Sequence, residues 1–147
     1  MAPHCKTQRI ANEWLTLPPQ LTGLISFLDD WLYSNHMERL TVTDAFRTDD
    51  EQGVLYLTHY LSKGFSPEQA RRLARHRPSL HKERRAVDFR HSEKPYTAEE
   101  RARIWAKLEE LCNPRERWQL DLHNLGTGLH FHVGFKGAIE QPKRGSV

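Results

Sequence analysis

With 147 residues, 37% of them hydrophobic and 28% charged, the chain has the length of one domain and the apolar mass for one core, which excludes a chain disordered throughout. A net charge of +3 suits acidic or polyanionic surroundings such as nucleic acid or wall polymers, but the excess is too small to choose between them. The two cysteines, Cys5 and Cys112, make no Cys-x-x-Cys pair and no disulfide framework, so a reduced state is the simpler reading.

The opening MAPHCKTQRIANEW lacks the apolar run of a secretory signal, and no later stretch is long and apolar enough to cross a membrane. The expectation is a product made in the cytoplasm. Residues 1–12 and 139–147 are polar and expected to be loose. That leaves one domain over 1–147, with its core over roughly 13–137.

Leu21, Leu24, Ile25, Leu28, Trp31 and Leu32 recur at three and four, the spacing of an amphipathic helix. RLTVTDAFRT (39–48) alternates and reads as a strand, with Leu40 and Val42 on one face and Thr41, Thr43, Ala45 and Arg47 on the other. Asp49 or Asp50 then caps a helix through Leu61, closed by Gly64. Ser66-Pro67-Glu68-Gln69 is a capping box with proline at the first helical position, so another helix starts there. RRAVDFR (84–90) reads as a strand, and Thr97-Ala98-Glu99-Glu100 opens a helix that Asn113-Pro114 ends. RWQLDLH (117–123) and LHFHVGF (129–135) flank NLGTG as a hairpin. The sum is an α+β domain: a small, mainly antiparallel sheet with helices packed on one face.

Strand side chains alternate between faces. Val87 and Phe89, then Trp118, Leu120 and Leu122, then Phe131, Val133 and Phe135 form apolar faces that need the helices. The opposite faces gather Asp88, His123, His130 and His132 on one open surface, provided these strands are neighbours. Zinc favours imidazole and carboxylate ligands, and a catalytic site keeps three of them with one position open. His81 lies just before the strand of Asp88 in a His-x6-Asp spacing, and the His-x-His pair puts two rings on one face.

At these residues the chain resembles the D-Ala-D-Ala carboxypeptidase and L-alanyl-D-glutamate endopeptidase family of hedgehog-like zinc peptidases. The family pattern Ser-x-His-x-x-Gly-x-Ala-x-Asp reads here as Ser79-Leu80-His81-Lys82-Glu83-Arg84-Arg85-Ala86-Val87-Asp88, and the late ligand strand as His130-Phe131-His132. VTDAFRTDDEQ resembles the family's strand that ends in an arginine before an acidic helix start. The match covers roughly residues 39–135. His123, Gly126 and Gly128 fit the form found in small phage and prophage members.

The resemblance implies a hedgehog/D-Ala-D-Ala-peptidase-like fold, Zn2+ held by His81, Asp88 and His132, and substrate orientation by Arg47. It implies a monomer that hydrolyses bacterial peptidoglycan peptides, acting at the cell wall after phage-type release or within a virion, with neither nucleic acid nor membrane as partner. Two departures stand out. The family's glycine is Arg84, and Leu129 occupies the position where many members carry a catalytic carboxylate. The base is then expected to be a histidine, His130 first and His123 second. The alternative is a catalytically silent zinc module that binds peptide or protein. A metal-dependent nuclease ranks lower: His123-Asn124 resembles His-Asn-His nucleases, but that fold expects a helix bearing the last ligand, whereas His-x-His here lies on a late strand, and Arg71, Arg72, Arg75, Arg77, Lys82, Arg84 and Arg85 read as a solvated or wall-attracted face.

Overall fold

The structure, a computed structural model, describes residues 2–91, 94–124 and 128–139. Five strands, β1 (His4–Cys5), β2 (Leu40–Asp44), β3 (Ala86–His91), β4 (Trp118–Asn124) and β5 (Leu129–Phe135), form one sheet in the order β1-β2-β3-β5-β4. β1 runs parallel to β2 and every other pairing is antiparallel. Helices α1 (Gln8–Trp14), α2 (Pro19–Ser34), α3 (Asp49–Ser62), α4 (Pro67–Arg75) and α5 (Ala98–Leu111) complete the α+β architecture.

The expected apolar faces meet in the core. Leu21, Ile25, Leu28 and Leu32 of α2, with Ile104 and Leu108 of α5, are buried together with Val42, Val87, Phe89, Phe131 and Val133. Phe89 and Phe131 stack across β3 and β5 with centroids 5.2 Å apart. Each such side chain taken from water contributes about 1.5–3 kcal/mol, so this layer fixes the register. A one-residue slip would turn its apolar set out and its polar set in.

Three differences from the sequence reading bear on the site. Residues 2–12 are not loose: His4–Cys5 pairs with β2, and α1 buries Ile10 and Trp14 in the core. The alternation gave no sign of this, because α1 offers few apolar residues and takes its N-cap from Thr7. The C-terminal residues 140–147 lie outside the described residues. Secondly, β2 ends at Asp44, with a register shift between Val42 and Asp44 that pairs Asp44 with Asp88. A bulge re-aims the side chains that follow it, so Arg47 sits on a loop rather than on a strand face. Thirdly, α1, α2 and α5 cover the apolar face, whereas α3 and α4 pack mainly on each other and flank the polar face. α3 is capped by Thr48 in a capping box with Glu51, not by Asp49 or Asp50.

Candidate metal centre

β3, β5 and β4 are neighbours, and their register sets Asp88 beside His132, His132 beside Asp121, and His123 beside His130. Directly paired residues share a face. The polar set is therefore gathered as expected, but not on an open surface: Asp88, His130 and His132 are buried, Asp88 and His132 against Arg47 and His81 from the flanking loops.

The His81 loop is built locally. His81 N–H donates to Ser79 Oγ at 3.1 Å, and Arg85 N–H closes back on Leu80 carbonyl at 2.8 Å. The loop packs on β5 at Gly134, where a Cβ would meet the tip of the Leu80 side chain. Two cross-bonds join it to the loop after β2: Arg47 N–H to His81 carbonyl at 3.3 Å, and His81 Nδ1 to Ala45 carbonyl at 2.8 Å. The N-terminal segment braces the same region, where Phe46 N–H donates to Glu13 Oε2 at 3.2 Å and Arg9 pairs with Glu51 at 3.0 Å.

His81, Asp88 and His132 each offer one ligand atom, and these lie within 4.8 Å of one another. His81 Nε2 is 3.0 Å and His132 Nδ1 2.9 Å from Asp88 Oδ1. The nitrogens pointing away are held as well. His81 Nδ1–H donates to the Ala45 carbonyl, and His132 Nε2–H meets Gln119 Oε1 at 2.6 Å. Metal-binding histidines use such outer partners to fix their tautomer and ring plane. Two imidazoles and a carboxylate, each fixed from behind, thus fit a divalent ion of the zinc type. Gln119 went unsingled in the sequence, because an amide carries no ligand signal of its own. Its place on the polar face of β4 was the available clue.

Burial alone would raise the Asp88 carboxyl, but the neighbouring His81 and hydrogen bonds from His123, His132 and His81 outweigh it and hold Asp88 well below its ordinary range. His81 is buried too, which disfavours its charged form, yet Asp88 raises it overall. For His132 burial prevails over the Asp88 hydrogen bond and lowers it.

The group opens into a cleft of about 310 Å³ lined by Arg47, Tyr56, Arg77, Ser79, His123 and Asp121 among others. His123 Nε2 lies 3.4 Å from Asp88 Oδ2, and its Nδ1 lies 3.8 Å from Asp121 Oδ2. His130 shares the sheet face but does not line this cleft. Its Nδ1 is 2.8 Å from Gly128 carbonyl, and it borders an adjoining groove with Lys6, Thr43 and Asp88. His123, its cross-strand partner, lines both the cleft and that groove. Arg47 does line the cleft, 3% exposed, with Nη2 3.7 Å from Asp88 Oδ2. Leu129 is exposed at the turn end of the hairpin, paired with Asn124.

Several cations of the basic run have partners. Arg75 pairs with Asp50, and Lys82 with Asp49 at 2.6 Å. Arg85 donates to the carbonyls of Phe135 and Gly137. Arg84 has a φ of 58°, the left-handed region that glycine adopts freely, at the position where the resembling family has its glycine. Its guanidinium lies 3.9 Å from the centre of the Phe46 ring.

No family model and no curated protein matches the chain. Among solved structures it is similar to a mutant of the vancomycin-resistance D,D-pentapeptidase VanY from a VanB-type resistance cassette, in complex with Zn(II). Identity is 18%, the TM-score is 0.48, and the match covers 82% of this chain and 73% of that one.

Proposed function

We propose that the chain is a zinc-dependent peptidase that hydrolyses a peptide bond in bacterial peptidoglycan stem or cross-link peptides. The observation that carries the metal half of this reading is the convergence of His81, Asp88 and His132, each with its far side tied down, at the head of a cleft. The wall-peptide half rests on the Ser79–Asp88 and His130–His132 motifs. Phage-type release or carriage in a particle belongs to the same reading.

When bound, the ion supplies a Lewis acid that lowers the pKa of water and polarises a carbonyl. The chain's own residues do the rest. His123 is the proton carrier best placed for the task, half-buried in the cleft with Asp88 on one side of its ring and Asp121 on the other. Arg47, locked by its partners, adds fixed positive charge beside Asp88, where charge developing on a substrate oxygen is stabilised without reorganisation. The walls formed by α3 and the Arg77–His81 loop limit water on one side.

Metal analysis and mass spectrometry of muropeptides on the same samples test this. Wild type should hold about one zinc and cleave, with ligand distances near about 2.0–2.2 Å. His132→Ala should lose the ion. His123→Ala should keep the ion and lose most turnover, while His130→Ala should keep both. Full metal occupancy in His132→Ala would overturn the ligand set. Leu129 in the usual carboxylate position favours a second reading, a zinc module that holds peptide without cutting it. Wild type that binds zinc yet cleaves no wall peptide would support that module.

A further inference from the structure

The cleft carries two arginines in opposite electrostatic states. Arg47 Nε and Nη2 reach Asp44 Oδ2 at 3.1 and 2.7 Å, its Nη1 donates to Gln52 Oε1 at 2.9 Å, and Asp88 stands beside it. Two carboxylates already neutralise it. Arg77 has no such partner: among the described residues, no carboxylate oxygen lies within 4.0 Å of its guanidinium.

Arg77 is nonetheless held in place. Its guanidinium lies over the Tyr56 ring, 4.4 Å from the centroid, and Nη1 donates to Tyr60 Oη at 3.2 Å. Its backbone carbonyl accepts from Gln52 Nε2 at 3.1 Å. Aromatic stacking fixes the plane of the fork while leaving its charge unspent. Arg77 and Tyr56 line the same cleft as His81 and His132. A pre-positioned guanidinium without a counter-ion, in a partly dry cleft, is suited to a planar anion taken in two-pronged fashion.

We infer that Arg77 is the specificity-determining cation of this cleft and takes a carboxylate of the peptide whose scissile bond lies at the His81–Asp88–His132 group. The cutting rests on the peptidase reading; the carboxylate preference does not. Two carboxylates of a wall stem peptide qualify, the C-terminal one and the α-carboxylate of its D-glutamate. Amidating either removes the charge while keeping the shape.

The test is calorimetric titration of the full chain, in chelator so that no peptide is consumed. The probes are a synthetic stem pentapeptide with both acids free and versions amidated at one position or the other. One amidation should weaken binding to wild type about tenfold or more, as expected for a charge-assisted pair, and which one does so identifies the carboxylate. Arg77→Gln should bind acid and amide alike while keeping zinc uptake and circular dichroism. Tyr56→Leu, which leaves the charge but removes its platform, should weaken the free acid by a smaller factor and carries the test if Arg77→Gln does not fold. Equal binding of acid and amide by wild type, no binding of any version, or an acid preference that survives Arg77→Gln would each overturn the inference. Acid preference without turnover on zinc loading would sink the peptidase reading alone. Turnover without acid preference would sink the Arg77 assignment alone.

Discussion

Gln52 is the fully buried amide that couples the two arginines. It sits in the first turn of α3, where its Oε1 takes Arg47 Nη1 at 2.9 Å and its Nε2 gives to Arg77 carbonyl at 3.1 Å. Gln52→Met keeps most of the volume and removes both bonds. A hydrogen bond to a charged group is worth about 1.5–3 kcal/mol and a neutral one about 0.5–1.5 kcal/mol. The variant should therefore lose about 2–4.5 kcal/mol, a large share of a total that for single domains runs about 5–15 kcal/mol. Gln52→Glu separates the two bonds: it retains an acceptor for Arg47 but sets a carboxylate oxygen against the Arg77 carbonyl. It should fall between wild type and Gln52→Met. Urea unfolding is the assay, in chelator so that metal binding does not mask the change, and with equal m-values as the check that only stability moved. If Gln52→Met lay within about 0.5 kcal/mol of wild type, the range of an ordinary surface change, the coupling argument would fail.

Zinc added at 100 times its dissociation constant should raise stability by about 2.7 kcal/mol in wild type and leave His132→Ala unchanged; equal shifts in both, by thermal melts, would place the ion elsewhere. Arg84→Gly should lie within about 1 kcal/mol of wild type by urea unfolding, because relief of a left-handed conformation worth about 1–2 kcal/mol offsets the lost Phe46 contact of about 0.5–1 kcal/mol and the added chain entropy; a loss above about 2 kcal/mol would show the side chain to be structural. Burial pushes the Cys112 thiol up to about 12, so a thiol reagent at pH 8 should spare it until the chain unfolds; rapid labelling of both cysteines in the native state would contradict that burial. Because the folded value is the raised one, the associated stability is fully present below the ordinary thiol range and is lost as pH climbs toward about 12.

What could be read from the sequence divides by distance along the chain. The capping boxes at Ser66 and Thr97 are local, and both are present as read. The alternation over Leu129–Phe135 set His132 against Phe131 and Val133, and the strand has those bounds. His81 and Asp88 are close in sequence, so their spacing was visible. The bulge after Val42 was not, since nothing in LTVTD departs from alternation, and it is the bulge that brings Asp44 under Arg47. Asp29 is a second case. It read as part of an amphipathic helix, yet it is buried, accepting from Leu40 N–H at 3.0 Å and Arg39 Nη1 at 2.8 Å, and so joins α2 to the start of β2. Arg77 was hidden among the other cations because its distinction lies in what it lacks, which only the placement of every nearby carboxylate reveals.

The separation of roles in the cleft follows from which elements hold the side chains. Asp88 and His132 stand on adjacent strands at paired positions, so their spacing is set by the backbone ladder rather than by loop choice. Sites on such elements keep their geometry within a fraction of an ångström more readily than sites on loops. His81 is the one member of the group on a loop, and it is the one with the most ties: Ala45 carbonyl, Arg47 N–H and Ser79 Oγ all fix it. Without an ion, His81 Nε2 and His132 Nδ1 both lie within 3.0 Å of Asp88 Oδ1. The outward nitrogens already face oxygen acceptors, so His81, Asp88 and His132 would hold an ion without turning either ring. Arg47 must stay where it is for this to work: if it left Asp44 and Asp88 to follow a substrate, a buried carboxylate would lose a counter-charge, which costs several kcal/mol. Recognition therefore falls to the cation that can bind an anion without abandoning one, and in this cleft that is Arg77.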